Sequence, residues 1–184
     1  MAEAVRKAGP WLACRSGCSA CCVGPFPVTP LDAIRLREGL KDLQNRDARC
    51  ARRVLDRAHQ SAERLRRSYP VDTVATILAQ NDAAEEELCP ALDPEARTCD
   101  LYSARPITCR KFGPAVRFSS ESGDEAALAV CELCFVGAAP AEIAACAVEV
   151  DPQGLEADLL RQLEAETGKR GDTLVAFALV EEEG

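Results

Sequence analysis

The chain has 184 residues and a mass of 19.8 kDa, and eleven of its residues, about 6%, are cysteine. This length suffices for one domain with its own core, so the cysteines are not needed as disulfide staples for a miniature fold. The net charge is −8, the basic excess typical of nucleic-acid binders is missing, and no apolar run reaches about 18 residues. We therefore expect neither a nucleic-acid partner nor a membrane span.

The cysteine content points to metal or redox chemistry. Residues 1–22 lack the apolar core and cleavage site of a secretory signal, which favours a cytoplasmic location. In a reducing cytosol, dense cysteine indicates metal ligation or redox chemistry rather than disulfides, and an odd number fits poorly with complete pairing. The sequence has one histidine, His59, which argues against histidine-based catalysis and multi-histidine metal sites. Thiolates would therefore have to hold any metal.

The N-terminal part of the chain divides into a loop and a helix. Residues 1–28 are rich in Cys, Gly and Pro and lack a period, so we interpret them as a loop. Thr29 and Pro30 are typical of a helix start, with Thr as the N-cap and Pro at the first helical position. Apolar residues at helical spacing then extend this predicted helix to about Leu43.

The clearest helix is predicted for residues 47–67, where one apolar stripe opposes a charged face. Cys50 lies on the apolar stripe, so we interpret it as a buried core residue. Between Arg35 and Arg67 there are eleven Lys and Arg against five Asp and Glu. This basic face is either ordinary solvated surface or a docking face for an acidic protein partner. A short helix is predicted for residues 71–78.

The centre of the chain loses the helical period. Residues 88–92 and 98–102 are predicted as two short strands, because the turn-forming residues 93–96 separate them. Residues 127–135 and 140–148 are predicted as short helical or irregular apolar pieces.

The C-terminal part adds a second amphipathic helix, predicted for residues 154–167. The apolar run at 173–180 favours a terminal strand, although the pattern alone is ambiguous. Cys146 lies in an alanine-rich helical pattern and is interpreted as core. The predicted fold is mainly α, a small α+β domain organised by metal, with an irregular Cys-rich centre and a few short strands. We expect residues 1–138 to form the cysteine-cluster domain and residues 139–184 an extension packed on it.

The other nine cysteines are candidate metal ligands. They are Cys14, Cys18, Cys21, Cys22, Cys89, Cys99, Cys109, Cys131 and Cys134. The first four lie within nine residues, and such spacings let a looped backbone turn several sulfurs toward one centre. Because neighbouring side chains usually diverge, Cys21 and Cys22 are expected to serve different sites unless one of them is not a ligand.

Two redox or catalytic interpretations of these spacings are less favoured. Cys131 and Cys134 form a CxxC pair, which also occurs in thioredoxin-like sites, but no obvious strand precedes it and no long helix follows. The spacing of Cys14, Cys18 and Cys21 matches that of radical S-adenosylmethionine enzymes. Those enzymes usually place an aromatic residue where this chain has Ala20, and they need a barrel of strand–helix units.

Two motifs together resemble a known family. Cys14, Cys18, Cys21 and Cys22 resemble the CxxCxxCC opening of the cysteine-cluster proteins of YkgJ type, although the first spacing here is three residues rather than two. Residues 89–92 and 99–112 are similar to that family's CPxL and CxxYxxRPxxCRxF signature. The resemblance covers residues 14–134 and implies a zinc- or iron-chelating domain. A more distant likeness to part of the flagellin lysine methylases implies an iron–sulfur cluster.

The second motif also has a physical rationale. Arg105 precedes a proline and is held in an extended or turn conformation, so that Pro106 can open a helical turn carrying Cys109 to the centre. Arg105 and Arg110 are expected to offset thiolate charge, because four thiolates on Zn²⁺ leave a formal charge of −2. Two aromatic residues are expected to shield the site from water: Tyr102 and Phe112.

Nine thiols exceed the four that one tetrahedral site needs. Two zinc sites would use eight, and so would one [4Fe–4S] cluster with one zinc, because all-thiolate sites suit both zinc and iron–sulfur clusters. The family resemblance favours iron–sulfur. Three function classes follow: a metal-binding protein with a redox- or metal-sensing role, an iron–sulfur-dependent enzyme such as a methylase, and a zinc-stapled interaction adaptor. No GxGxxG loop supports the enzyme class.

Overall fold

A computed structural model describes residues 2–80, 83–118 and 127–180. Over these ranges the protein is mainly helical with a few short strands, as predicted. The helices in this part of the chain are α1 (Ala2–Ala8), α2 (Pro30–Arg46), α3 (Ala48–Ser68), α4 (Thr73–Ala79), α5 (Ile107–Lys111), α6 (Pro140–Cys146), α7 (Leu155–Thr167) and α8 (Val175–Val180). The strands there are β1 (Leu92–Asp93), β2 (Thr98–Cys99), β3 (Val116–Phe118), β4 (Ala127–Ala129) and β5 (Val148–Val150).

Helices α2, α3 and α8 enclose the main hydrophobic core. Pro30 opens α2, and the Thr29 hydroxyl caps it by accepting the Asp32 N–H at 3.2 Å, as predicted. The Asp47 carboxylate caps α3 by accepting the Cys50 N–H at 2.9 Å. Cys50 itself is buried in the core, which confirms that it is a packing residue.

The predicted terminal strand at residues 173–180 is wrong, because most of this segment forms helix α8. Five of the six α8 residues are buried, because α8 packs against both α2 and α3. A helix buried on all sides has an unbroken apolar sequence, and such a run carries no period that distinguishes helix from strand. Only Thr173 pairs in an extended manner, exchanging two 2.9 Å hydrogen bonds with Val28.

The expectation that residues 1–28 form only a loop is also wrong. They contain α1 and two 3₁₀ turns, Gly9–Trp11 and Ala20–Cys22. Helix α1 buries only two alanines, Ala4 and Ala8, so its apolar face is too narrow to be recognised in the sequence.

The two predicted strands at 88–92 and 98–102 are shorter in the structure. Only the two-residue strands β1 and β2 form, and they pair antiparallel. The turn between them is formed as expected, because the Asp93 carboxylate accepts the N–H groups of Glu95 and Ala96, both at 2.9 Å. A three-stranded sheet in the order β4–β3–β5 was not predicted. Within it β3 is antiparallel to β4 and parallel to β5, so residues 127–129 are strand rather than helical or irregular.

Helices α4, α6 and α7 lie where the sequence predicts short or amphipathic helices. Within the described ranges, no helix has the length and apolarity needed to cross a membrane.

Substitution of Gly39 tests the packing of α2 against the cysteine-bearing segments. A Cβ at position 39 would lie 2.1 Å from the Cβ of Ala104, in the 3₁₀ turn Tyr102–Ala104. We expect Gly39→Ala to lower the free energy of unfolding by about 1–3 kcal/mol through overpacking, although alanine favours helix by about 1 kcal/mol. Adding Ala104→Gly should restore most of the loss, as measured by urea denaturation. Equal stability of Gly39→Ala and the wild type would contradict this packing.

Candidate metal centre

A large cavity lies where the cysteine-bearing segments meet. Its volume is about 650 Å³, and it is bordered by the N-terminal segment, the β1–β2 hairpin, α5 and one end of the main core. Seven of the nine candidate ligands line it: Cys14, Cys18, Cys21, Cys22, Cys89, Cys99 and Cys109. Segments far apart in sequence therefore bring their sulfurs to one place.

The nine thiols fall into two groups. We call one the four-thiol group, which consists of Cys14, Cys18, Cys131 and Cys134. We call the other the five-thiol group, which consists of Cys21, Cys22, Cys89, Cys99 and Cys109. Wherever a thiol's pKa is shifted by other thiols, those neighbours belong to its own group. Cys21 and Cys22 thus share a group, which leaves the alternative that one of the two is not a ligand.

Backbone pairing joins the first two segments of the five-thiol group. The Cys89 N–H donates to the Cys22 carbonyl at 2.8 Å, and Val23 forms an antiparallel bridge with Leu88. This short extended pairing places Cys22 and Cys89 side by side, although 66 residues separate them in sequence.

A buried carboxyl group positions the third segment. Cys109 lies on α5, whose first residue, Ile107, donates its N–H to Asp32 Oδ1 at 2.9 Å. Asp32 is 2% exposed, and its second carboxyl oxygen has no hydrogen-bond partner among the described residues. Burial raises the pKa of Asp32 above its usual value, against the lowering effect of the Ile107 N–H. The helical turn opened by Pro106 therefore carries Cys109 to the centre, as predicted.

The four-thiol group is built around a compact turn. The Cys134 N–H donates to the Cys131 carbonyl at 2.8 Å, and the Cys134 sulfur accepts the Ala13 N–H at 3.4 Å. Gly113 lies beside Cys14 with a φ of +115°, and a Cβ there would lie 2.7 Å from the Cys14 sulfur. Only glycine suits this position, on both conformational and steric grounds.

The pKa values of the thiols in the five-thiol group are shifted in opposite directions. The hydrogen bond with Cys22 lowers the pKa of Cys21, and the Arg105 guanidinium lowers it further. Burial raises the pKa of Cys89 and of Cys109 to about 12. Buried thiols of this kind are protonated without a cation, and metal binding would release their protons.

The donor set suits the metals that the sequence implies. Every candidate ligand is a thiol, and thiolate sites hold zinc or iron–sulfur clusters. Among the described residues, no three Cys, His, Asp or Glu side chains already converge tightly enough to hold one ion. The thiols of each group would therefore have to draw together on binding.

Four arginines line the cavity: Arg15, Arg97, Arg105 and Arg110. The sequence singled out only the last two. Arg97 was missed because its role depends on the fold: it donates two hydrogen bonds, of 3.1 and 2.9 Å, to the buried hydroxyl of Ser19. This contact ties the β1–β2 turn to the segment between Cys18 and Cys21.

The expectation that Tyr102 and Phe112 shield the site from water is wrong. Both residues line the cavity, but Tyr102 is 67% exposed and Phe112 is 48% exposed. Both side chains lie at the surface, and neither belongs to the main hydrophobic core. The cavity is therefore accessible to solvent past two aromatic side chains.

The remaining singled-out residues lie elsewhere. Cys146 is half-buried and packs against the hydrophobic cluster that contains Cys134, although it belongs to neither thiol group. His59 is exposed on α3.

Several members of the basic face on α3 are used within the molecule: Arg64 forms an ion pair with Glu87 at 2.6 Å, and Arg66 lies over the Phe177 ring. Arg57 donates to the Pro90 carbonyl at 2.8 Å and forms an ion pair with Asp100 at 2.7 Å. Because both partners adjoin candidate ligands in sequence, Arg57 positions the hairpin. A partner bound to this face would therefore have to use other basic residues, such as the exposed Arg52 and Arg53.

Comparison with known proteins identifies the family. No curated protein and no solved structure matches the chain. The model of the CxxCxxCC family, described as a putative zinc- or iron-chelating domain, matches residues 13–134. This range includes all nine candidate ligands and both thiol groups. The chain therefore belongs to the CxxCxxCC family of zinc- or iron-chelating domains.

Proposed function

We propose that this protein binds metal at two all-thiolate centres, one in each thiol group. The division of nine cysteines into sets of four and five supports the proposal, because each set provides the four thiolates that a zinc ion or a [4Fe–4S] cluster requires. Under this proposal the five-thiol group holds one sulfur more than it needs.

The four-thiol group is best suited to zinc. Cys131 and Cys134 form a CxxC turn, and the Ala13 N–H donates to the Cys134 sulfur. Such N–H···S contacts orient ligands and moderate thiolate charge in tetrahedral zinc sites. Two members of this group, Cys131 and Cys134, lie outside the cavity lining, and Cys134 is buried.

The five-thiol group is better suited to an iron–sulfur cluster. A cluster is bulkier than a single ion, and all five sulfurs face the large cavity. Arg105 acts on the thiols of Cys21, Cys99 and Cys109, so a cationic group is already placed to offset the negative charge of a thiolate-bound cluster. When bound, the cluster would supply one-electron redox chemistry.

These features support a redox- or metal-sensing role. The cavity admits solvent past Tyr102 and Phe112, so small oxidants or metal chelators could reach the five-thiol group. The same opening is compatible with the alternative of an iron–sulfur-dependent modifying enzyme. The adaptor alternative, with zinc as a staple, needs no opening of this kind.

Metal analysis tests the proposal directly. Protein purified without oxygen should contain about one zinc and about four irons with four sulfides per chain. The measurements are elemental analysis, sulfide determination and visible absorbance. A colourless protein with two zinc ions would refute the cluster while retaining two centres, and a protein that takes up neither metal would refute both centres.

Single cysteine substitutions test the assignment of the groups. Cys134→Ser should remove most of the zinc and leave the iron content unchanged, whereas Cys99→Ser should remove iron and sulfide and leave the zinc. Cys50→Ala is the matched control, because Cys50 is packed in the main core outside the two groups, and this variant should retain both metals. Simultaneous loss of both metals from Cys134→Ser, in a protein still folded by circular dichroism, would show a single shared centre.

Gly113 provides a test that leaves every sulfur in place. Gly113→Ala should displace the Cys14 sulfur and weaken zinc binding, because the new Cβ would lie 2.7 Å from that sulfur. Gly137→Ala is the matched control, since its φ is also positive, at +81°, but nothing lies within 4 Å of its added Cβ. Competition with a zinc chelator measures the affinities. Equal zinc affinity in the two variants would contradict the role of Gly113.

A further inference from the structure

Three arginines crowd together beside the cavity. Arg35 and Arg110 each donate from Nη2 to the same carbonyl, that of Ser103, at 3.2 and 2.8 Å. Arg110 also donates from Nε to the Arg105 carbonyl at 2.9 Å. Because Arg35 and Arg110 share one acceptor, their positively charged guanidinium groups lie close together and repel each other. A bound anion would stabilise this arrangement.

Among the residues that the structure describes, these arginines have no direct ion-pair partner. Within the described ranges, none of the three forms an ion pair with a carboxylate, and no Asp or Glu lines the cavity. The carboxyl group of Asp32 acts on Arg35 and Arg110 electrostatically, but it is buried and accepts the Ile107 N–H. Arg105 faces the thiols of the five-thiol group, whereas the acidic group that acts on both Arg35 and Arg110 is the buried Asp32 carboxyl.

The adjoining cavity has the size of a small-molecule site. Its volume of about 650 Å³ lies within the range of roughly 300–1,000 Å³ typical of ligand pockets. A metal centre at the thiols would fill only part of it. Apolar side chains such as Leu36 and Leu101 form much of its wall, and the exposed Tyr102 ring lies beside it with Arg105 5.1 Å from the ring centroid. A ligand with one charged end and an apolar body matches these surroundings.

We propose that a small organic phosphate binds at the edge of this cavity. Arg110, which lines the cavity, and Arg35, which shares the Ser103 carbonyl with Arg110, would hold the phosphate group, and the organic part would lie in the cavity beside the five-thiol group. Phosphate is favoured over a carboxylate because its charge of about −2 matches two or three guanidinium groups, and arginine binds phosphate oxygens with paired, charge-assisted hydrogen bonds. The proposal rests on the proposed function only in that the thiols hold a metal centre next to the ligand.

Calorimetric titration of the metal-loaded protein tests this site. Inorganic phosphate should bind saturably at constant ionic strength, phenyl phosphate should bind more tightly because its ring enters the cavity, and acetate should bind more weakly than both. Arg35→Gln should weaken phenyl phosphate binding about tenfold, as expected for the loss of a charge-assisted hydrogen bond. Arg52→Gln, an exposed arginine of α3 away from the cluster, is the matched control and should bind as the wild type does.

Arg35 is the decisive position because it lies on α2, away from every cysteine, whereas Arg110 adjoins Cys109 in sequence. Absence of saturable phosphate binding, a preference for acetate, or equal affinity in Arg35→Gln and Arg52→Gln would overturn the proposal. Loss of iron or zinc from folded Arg35→Gln would also overturn it, because the arginine would then serve the metal centre. If the protein takes up no metal but still binds phenyl phosphate through Arg35, the phosphate site stands and the metal centres fail.

Discussion

The hydrogen bond from the Ile107 amide to the buried Asp32 carboxyl attaches α5, and with it Cys109, to the helical core. The second carboxyl oxygen has no hydrogen-bond partner in the described part of the chain, which implies a desolvation cost of order 1–3 kcal/mol. Arg57 attaches the hairpin to α3 in a comparable way, through Pro90 and Asp100. These polar contacts fix the cysteine-bearing segments to a core formed by α2, α3 and α8, so no disulfide is needed to bring distant sulfurs together.

The cavity is lined by basic residues although the protein as a whole is acidic. The chain has a net charge of −8, yet no carboxylate of the described residues lines the cavity. Thiolates bound to metal retain negative charge, so a wall of arginines lowers the cost of assembling them in a partly dry environment. Arg105 acts on thiols of three different segments, whereas Arg35 and Arg110 lie farther out. One arginine therefore acts directly on the sulfurs, and the other two add positive charge farther from them.

Local signals in the sequence predicted part of this arrangement. The Thr29–Pro30 start of α2, the apolar stripe of α3 and the turn at Asp93 depend on neighbours within a few residues. Helix α8 was misassigned because burial on all sides removes the periodicity that distinguishes a helix from a strand. The roles of Arg97, at the hairpin turn, and Arg35, on α2, depend on contacts with residues 78 and 68 positions away, which no local pattern encodes.

The division of the cysteines into two groups shows that spacing in the sequence does not identify which thiols lie together. Cys14 and Cys18 are continuous in sequence with Cys21 and Cys22, which suggests one binding loop, yet the two pairs belong to different groups. The 3₁₀ turn Ala20–Cys22 keeps Cys21 and Cys22 close together, and the backbone pairing of Cys22 with Cys89 directs both to the five-thiol group. The three-residue spacing after Cys14, which departs from the family pattern, falls entirely within the four-thiol group. The altered spacing therefore affects one group only, and the five-thiol group keeps the adjacent Cys21–Cys22 pair that ends the motif.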